Sequence, residues 1–452
     1  MSEWQKATIG DLIASGAIQV HKDGNHGANY PRSSEFVQDG LPFLTAKSLD
    51  DWRVDVSGAP RLSVEKASSF RFGFVQENDV LLSHNATVGR VAIMPAFDGE
   101  AVIGTSLTHF RVNDKILLPE FLAYYFSSSE FQTNISSVMS HTTRNQVPIT
   151  EQRRLWIRHP PVHVQRDIVG AIRPLFDKIE ANRKAAACLE EMARALYRSW
   201  FVTFDPVHAK SQNRPPAHMP PTTAALFPDG FGENGLPEGW ALEPIGKHVL
   251  ATKGLSYKGA GLCGPEGGVP LHNLNSVLEG GGYKYEGIKH YSGDFKDRHL
   301  VRPGDLIVAN TEQGFDHLLI GHSALVPESS GSSGLFSHHL YKVEPRDGSP
   351  LSREWLYLAL SVAPLGTVIR SYSNGTTVNM LPADAFELPL AIVPPEEVVS
   401  AMSELVRPWF GKRDAIIAEN QTLATLRDTL LPRLMSGSLR VKAAQVEVEA
   451  VL

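Results

Sequence analysis

PEFLAYYF (119–126) and SREWLYLAL (352–360) are one stretch of chain written twice. Glu120, Phe121 and Leu122 align with Glu354, Trp355 and Leu356 at an offset of 234. At that same offset Thr142-Thr143 aligns with Thr376-Thr377, Pro160-Pro161 with Pro394-Pro395, Pro174 with Pro408 and Phe176 with Phe410. So many coincidences at one offset mark an internal duplication, and a duplication outranks any single motif in deciding the fold. Nearer the start of each copy the offset drifts. Trp4, Ile9 and Gly10 match Trp240, Ile245 and Gly246 at 236, Asn78-Asp79-Val80 matches Gly304-Asp305-Leu306 at 226, and SLTHFRV (106–112) matches SHHLYKV (337–343) at 231. Loops tolerate insertions and elements do not, so drift of this kind is expected of two copies of one scaffold.

Each copy reads as a globular part followed by a helical part. Within the globular parts, DVLLS (79–83), VAIMP (91–95), DLIVA (305–309) and SALVP (323–327) are short, β-branched and bounded by turn formers, which predicts strands. Helices are predicted at 119–130 and 353–363. In the first helical part Ile168, Ile172, Leu175, Ile179, Ala186, Leu189, Ala193, Leu196 and Trp200 step by three and four, with Asn182 filling the one gap. That is a heptad seam with one polar position. The second gives Met402, Leu405, Trp409, Ile416, Leu423, Leu426 and Leu430, with Lys412 and Glu419 where seam positions are lost. From Val164 to Val202 such a helix reaches roughly 58 Å, more than one domain needs, so the two helices are expected to pack on each other. Pro174 and Pro408 are expected to kink the helices or delay their starts.

The expected organisation is α+β: a mixed α/β domain at 1–160, a helix at 161–202, a connector at 203–239, a second mixed domain at 240–395, a helix at 396–440 and a tail at 441–452. The connector holds seven prolines and four glycines and reads as extended chain. The tail reads as a short strand or a frayed end.

A chain of 452 residues needs two to four domains. No apolar run suits a membrane span, no signal peptide is visible at the start, and Cys188 and Cys263 stand alone. A reducing cytoplasm is the expected setting. The net charge of −6 is unhelpful to a nucleic-acid binder. Yet six arginines (144, 153, 154, 158, 166 and 173) face only Glu151 and Asp167 between His141 and Arg173, a local excess of four positive charges. That segment is either a solvated face or an electrostatic footing.

No catalytic constellation is legible. GAGLCG (259–264) satisfies GxGxxG, but Pro265 and Gly267-Gly268 follow where a helix should begin. There is no phosphate-cradling GxxxxGK[ST], no Asn/Asp-Pro-Pro-aromatic loop to hold a target amine, and no metal-ligand spacing among 17 histidines.

LRDTLLPRLMSGSLRV (426–441) and KIEANRKAAACLEEMARALYRSWFVTFDPV (178–207) resemble the closing and central conserved regions of type I restriction-modification specificity subunits, and GLPEGW (235–240), NDVLLSHNATVGR (78–90) and GDLIVANTEQG (304–314) resemble their domain-entry and strand-loop segments, so that the resemblance covers nearly the whole chain in the expected order. The resemblance implies two target-recognition domains reading the halves of a split double-stranded DNA site, with the helices forming an antiparallel coiled coil that acts as a ruler between them. It also implies two methyltransferase subunits and motor-nuclease subunits as partners. S-adenosylmethionine, ATP and Mg are then expected on those partners and no cofactor here. A free-standing DNA-modifying enzyme would need the missing donor-binding and Pro-Pro motifs. A coiled-coil scaffold that binds no DNA would leave the paired polar loops below unexplained.

Base-reading residues vary with target, so they are chosen here on chemistry: Arg suits guanine, Asn and Gln suit adenine. One loop pair is HTTRNQVP (141–148), with Thr142, Thr143, Arg144, Asn145 and Gln146, and SNGTTVNM (373–380), with Asn374, Thr376, Thr377 and Asn379. The second is Ser83, His84, Asn85, Thr87 and Arg90, with Asn310, Thr311, Glu312 and Gln313. Arg153 and Arg154 are candidates for phosphate. Asn-Gly and Thr-Thr also make turns, and turn chemistry alone is the competing explanation.

Overall fold

A computed structural model describes residues 4–25, 30–139, 145–314, 317–375 and 378–452. The chain divides into two compact units, Met1–Glu180 with Gln421–Leu452, and Ala181–Asn420.

In the first unit the strand Val80–Ser83 lies between Val91–Ile93 and Leu107–Val112, and the latter pairs on with Ile18–Asp23. Val80, Leu81 and Leu82 are fully buried, as a strand covered on both faces must be. A second sheet runs Phe36–Val37, Arg61–Leu62, Leu41–Leu44, Ala101–Ile103, Phe74–Val75, with one parallel pair, Leu41–Leu44 beside Ala101–Ile103. Gln5–Thr8 pairs with Trp156–His159.

The second unit repeats this topology strand for strand. Its four-stranded sheet runs Val249–Lys253, Leu340–Pro345, Leu306–Ala309, Ser323–Leu325. Its five-stranded sheet is ordered Leu262–Cys263, Lys289–Tyr291, Val269–His272, Gly334–Phe336, Leu300–Val301, and its one parallel pair stands at the equivalent place. Ala241–Pro244 pairs with Leu390–Val393. The helices Pro119–Ser127 and Arg353–Ser361 fill matching positions. Each buries six consecutive residues, Phe121 to Phe126 and Trp355 to Leu360, so neither shows an amphipathic period. Among the described residues the units differ in two places. The first unit has a hairpin, Leu49–Asp50 with Arg53–Val54, and the second has a ribbon, Thr311–Gln313 with Val378–Met380.

The long helices are Val162–Phe201 and Glu396–Met435, 40 residues each. Both begin about three turns before Pro174 and Pro408 and run through them. A proline inside a helix removes one i→i−4 bond, a loss that the apolar burial of Ile172 and Leu175 offsets. Within the second unit Asn182 donates from Nδ2 to Glu419 Oε2 at 2.8 Å and to Asn420 Oδ1 at 3.0 Å, while Arg413 donates to Glu190 at 2.6 Å. One index rises as the other falls, so the helices are antiparallel there. In the first unit Ile168, Ile172, Leu175 and Ile179 share a core with Leu423, Leu430 and Leu434.

Three expectations need correction. The second seam passes through Val406, Phe410 and Arg413, all buried, while Leu405 is 43% exposed. Two buried arginines, Arg413 and Arg427, occupy seam positions, and a search for apolar residues alone slipped past them. The segment 203–239 is not extended. It contains the short helices Asp205–Ser211 and Pro221–Ala224, and Val207 and Phe227 enter the same core as Trp200, Phe201 and Trp240. The tail is a helix, Val441–Glu449, which seats Ala444 and Val448 in the first unit's core.

Candidate nucleic-acid interface

The two polar loops of each copy meet. In the first unit Val147 N–H donates to His84 O at 2.9 Å, Ala86 N–H donates to Asn145 O at 3.1 Å, and Asn85 forms a β-bridge with Gln146. In the second, Leu381 N–H donates to Asn310 O at 2.8 Å, and Thr311, Glu312 and Gln313 lie opposite Met380, Asn379 and Val378. Val147 and Leu381 are equivalent at offset 234, and His84 and Asn310 at 226. One backbone bond therefore ties the same two loops together in both copies.

Buried side chains brace each junction. In the first unit Gln152 Nε2 donates to Thr108 Oγ1 at 2.9 Å and to Val147 O at 3.0 Å. Its Oε1 lies 3.1 Å from His21 Nε2, and Thr108 Oγ1 lies 2.9 Å from His84 Nδ1. Burial pushes the His21 imidazole down to about 4, against the smaller upward effect of the Gln152 bond, so it is neutral near pH 7. In the second unit Thr311 Oγ1 lies 2.8 Å from His339 Nδ1, and Asn310 Nδ2 donates to His338 O at 3.0 Å. Tyr341 OH donates to Leu381 O at 3.2 Å. The Glu312 carboxylate accepts from the N–H groups of Leu318, Leu319 and Ile320 at 2.8, 3.1 and 3.0 Å, folding the following turn back onto the ribbon.

The expected base-reading residues thus divide. Thr142, Thr143, Arg144, Thr376 and Thr377 lie outside the described residues. Thr87, Asn145, Gln313 and Asn374 are exposed, and Asn85 and Gln146 are half-buried. His84, Asn310, Thr311 and Asn379 are buried with Ser83 and Glu312. These four are braces in this structure rather than exposed readers, because their side chains are taken up by buried hydrogen bonds at the junction. Asn379 Nδ2 donates to Gly314 O at 2.6 Å. Arg90 is exposed, but its Nη1 donates to Leu49 O at 3.0 Å and steadies the neighbouring hairpin. Arg153 and Arg154 are both exposed, and Arg154 pairs with Glu151 at 2.9 Å.

Sequence reasoning missed the devices that hold the helices to the domains. In the first unit Arg427 donates to Asp51 at 2.8 Å and to Asp428 at 2.8 Å, with its guanidinium 5.2 Å from the Phe176 ring. Asp51 and Trp52 form a hairpin tip with both φ angles positive, 38° and 69°, a geometry that two-residue hairpins use and non-glycine residues resist. In the second unit Arg413 donates to Glu190 and Asp414 and lies 4.9 Å from the Phe410 ring. Phe176 and Phe410 are the pair already visible at offset 234, and that coincidence was the available signal.

Among the described residues no cluster of three or more His, Cys, Asp or Glu could hold a metal ion, and no helix is long and apolar enough to cross a membrane.

Residues 1–191 match the family model described as Type I restriction modification DNA specificity domain. The type I restriction enzyme HindI specificity subunit of Haemophilus influenzae is 24% identical, covering 97% of this chain and all of its own length. The MjaIX specificity subunit of Methanocaldococcus jannaschii is 21% identical over 98% of this chain and 97% of its own. Among solved structures, the S subunit of a type I restriction-modification system from M. genitalium matches with a TM-score of 0.51 and 14% identity over 96% of each chain, a likeness of fold. Residues 1–191 thus match a specificity-domain family model, and over nearly its whole length the chain is similar to specificity subunits of type I restriction-modification systems.

Proposed function

We propose that the chain reads a bipartite double-stranded DNA target, one half-site per globular domain, and holds two methyltransferase subunits and motor-nuclease subunits at the site it has chosen. The observation that carries this is the pair of loops tied by an equivalent backbone bond in each copy, with different side chains exposed around it. A duplicated scaffold with variable tips suits two half-sites of different sequence. Helices of 40 residues, about 60 Å at 1.5 Å per residue, suit a fixed spacing between them. The chain is the non-catalytic member of the complex. Methyl donor, ATP and Mg are held by the partners, and the work is done on DNA in the cytoplasm.

The test is competitive binding of the assembled complex to duplexes altered in one half-site at a time. The expected result is that each altered half weakens binding separately, and that a changed spacer weakens it further. Indifference to sequence in both halves, or methyl transfer from a labelled donor by this chain alone, overturns the proposal.

A further inference from the structure

The ribbon Thr311–Gln313 with Val378–Met380 has two unlike faces. Glu312 and Asn379 turn inward and are buried. Outward stand Gln313, opposite Val378, and Met380, two residues along the same strand. Val378 is 45% exposed and Met380 43%. Leu318, on the turn that Glu312 holds against the ribbon, is equally exposed. A two-stranded edge ribbon with a bare apolar face invites edge-to-edge association unless something covers it. The equivalent sequence positions of the first copy are Arg144, Gln146 and Thr87, so the apolar character is particular to the second.

The surroundings favour an anionic partner. Lys253 and Lys289 are exposed on the strands Val249–Lys253 and Lys289–Tyr291. They lie close enough to His339, the histidine bonded to Thr311, to help burial and His338 depress its pKa. A two-stranded ribbon fits the roughly 12 Å major groove of B-form DNA and not the minor groove at roughly 6 Å. On the floor of the major groove the apolar feature is the C5-methyl of thymine.

We propose that the second domain reads thymine through its methyl group, with Val378 and Met380 as the contacting side chains, while the first domain reads through polar groups. This rests on the DNA-reading role proposed above and adds the chemistry of one half-site. Gln313, across from Val378, is placed to hydrogen-bond a neighbouring adenine edge.

The experiment uses the chain assembled with its methyltransferase subunits and a target mapped from the methylated adenines of its host genome. Thymines in each half-site are replaced singly by deoxyuridine, which keeps every Watson–Crick bond and removes only the methyl. In one half-site, uridine should weaken binding about fourfold per contacted methyl, the worth of one buried methyl expressed as an affinity ratio. Val378→Ser and Met380→Ser should bind the thymine target more weakly and lose the distinction between thymine and uridine. Val378→Thr, nearly isosteric and at home in a strand, keeps the ribbon intact and should lose part of that distinction. Melting temperature and recognition of the other half-site should not move in any of the three. The proposal is overturned if uridine is tolerated throughout, if discrimination survives in the serine variants, or if neither half-site contains thymine on the contacted steps. A complex that prefers no bipartite site over random duplex would bring down the DNA-reading role itself, a result distinct from these.

Discussion

The first and second halves of the molecule both make a histidine–threonine hydrogen bond at this junction, but from opposite sides of it. In the first, His84, just past the strand Val80–Ser83, meets Thr108 on the strand Leu107–Val112 at 2.9 Å. In the second, Thr311, one residue past the equivalent of His84, meets His339, in the turn before the strand Leu340–Pro345, at 2.8 Å. Duplication has preserved the task, which is to pin a loop over a buried strand, and not the letters. A buried polar atom must find a partner, and either order of residues satisfies that demand. The solvent side carries no such demand, and there the halves diverge to Asn145 and Thr87 in one and to Val378 and Met380 in the other.

The sharpest difference lies in the buried arginines. Arg413 is held by Glu190 and Asp414, whose side chains are 15% and 21% exposed. Arg427 is held by Asp51 and Asp428, at 32% and 61%, and its Nη1 is buried without a partner among the described residues. Removing Arg413 takes a buried cation from two shielded carboxylates, which keep Arg194, Tyr357 and Tyr285 as partners, whereas removing Arg427 leaves carboxylates that water can reach. Arg413→Met should therefore cost about 3–5 kcal/mol in the second half, as broken buried pairs do. Arg427→Met should cost about 2 kcal/mol in the first, discounted for solvent. Amide hydrogen exchange resolved by strand reads each half separately. Equal losses, or a larger loss for Arg427, would break the comparison.

Acid should affect both halves, and the second more. His21 in the first and His272 and His322 in the second are pushed down to about 4 by burial. Each stays neutral in the fold while its unfolded counterpart takes up a proton below about 6.5. Stability is thus full above pH 6.5 and falls as pH drops from there to about 4, by up to about 3 kcal/mol per histidine. His21→Gln should flatten the decline for strands of the first half only, and His272→Gln should flatten part of it for those of the second, where His322 remains. A decline confined to one half in the unsubstituted protein would show that histidine in the other half is charged in the fold.

The duplication, both long helices, their pairing and the central strands were legible because burial imposes period and offset on the letters. Asn182 was legible as a polar seam position, and its partners Glu419 and Asn420 give the reason it is tolerated. What was not legible depends on contacts distant in sequence. Leu405 was taken for the seam because Arg413 looks polar until Phe410 and Glu190 enclose it. The connector's prolines suggested extended chain, yet Phe227 finds Trp200 at 5.1 Å. The two loops of each copy do meet, but which of their residues face out was not legible, since His84 and Asn310 sit at ends of strands where a shift of one residue reverses the face.

Exposed tips should matter to one half-site at a time. Asn145→Ala should cost about 1–3 kcal/mol of binding, the worth of a bidentate base contact, when the half-site read by the first domain is intact, and nothing extra when that half is already scrambled. Asn374→Ala should show the mirror pattern. Competition among duplexes altered in each half measures both, and a loss that ignores which half is altered would mean that these residues support the loops without reading bases.

The smallest effect concerns footing. Gly10 N–H donates to Arg153 O at 2.9 Å, and Gly246 N–H donates to Glu387 O at 3.3 Å, so these two carbonyls occupy the same place in the repeat. The side chains beyond them are of opposite charge and both exposed. If the first domain meets phosphate there, Arg153→Ala should weaken binding to every sequence and lower the slope of log affinity against log salt by about one. Arg154→Ala should do less, because Glu151 already neutralises much of that charge. Glu387→Arg should raise the slope by a similar amount through the second domain. Such a result would mean that the first half anchors by charge and the second, with its apolar ribbon, by shape and methyl contact. An unchanged slope in all three would place this edge of both domains away from the DNA backbone and leave the asymmetry of the halves entirely to their loop tips.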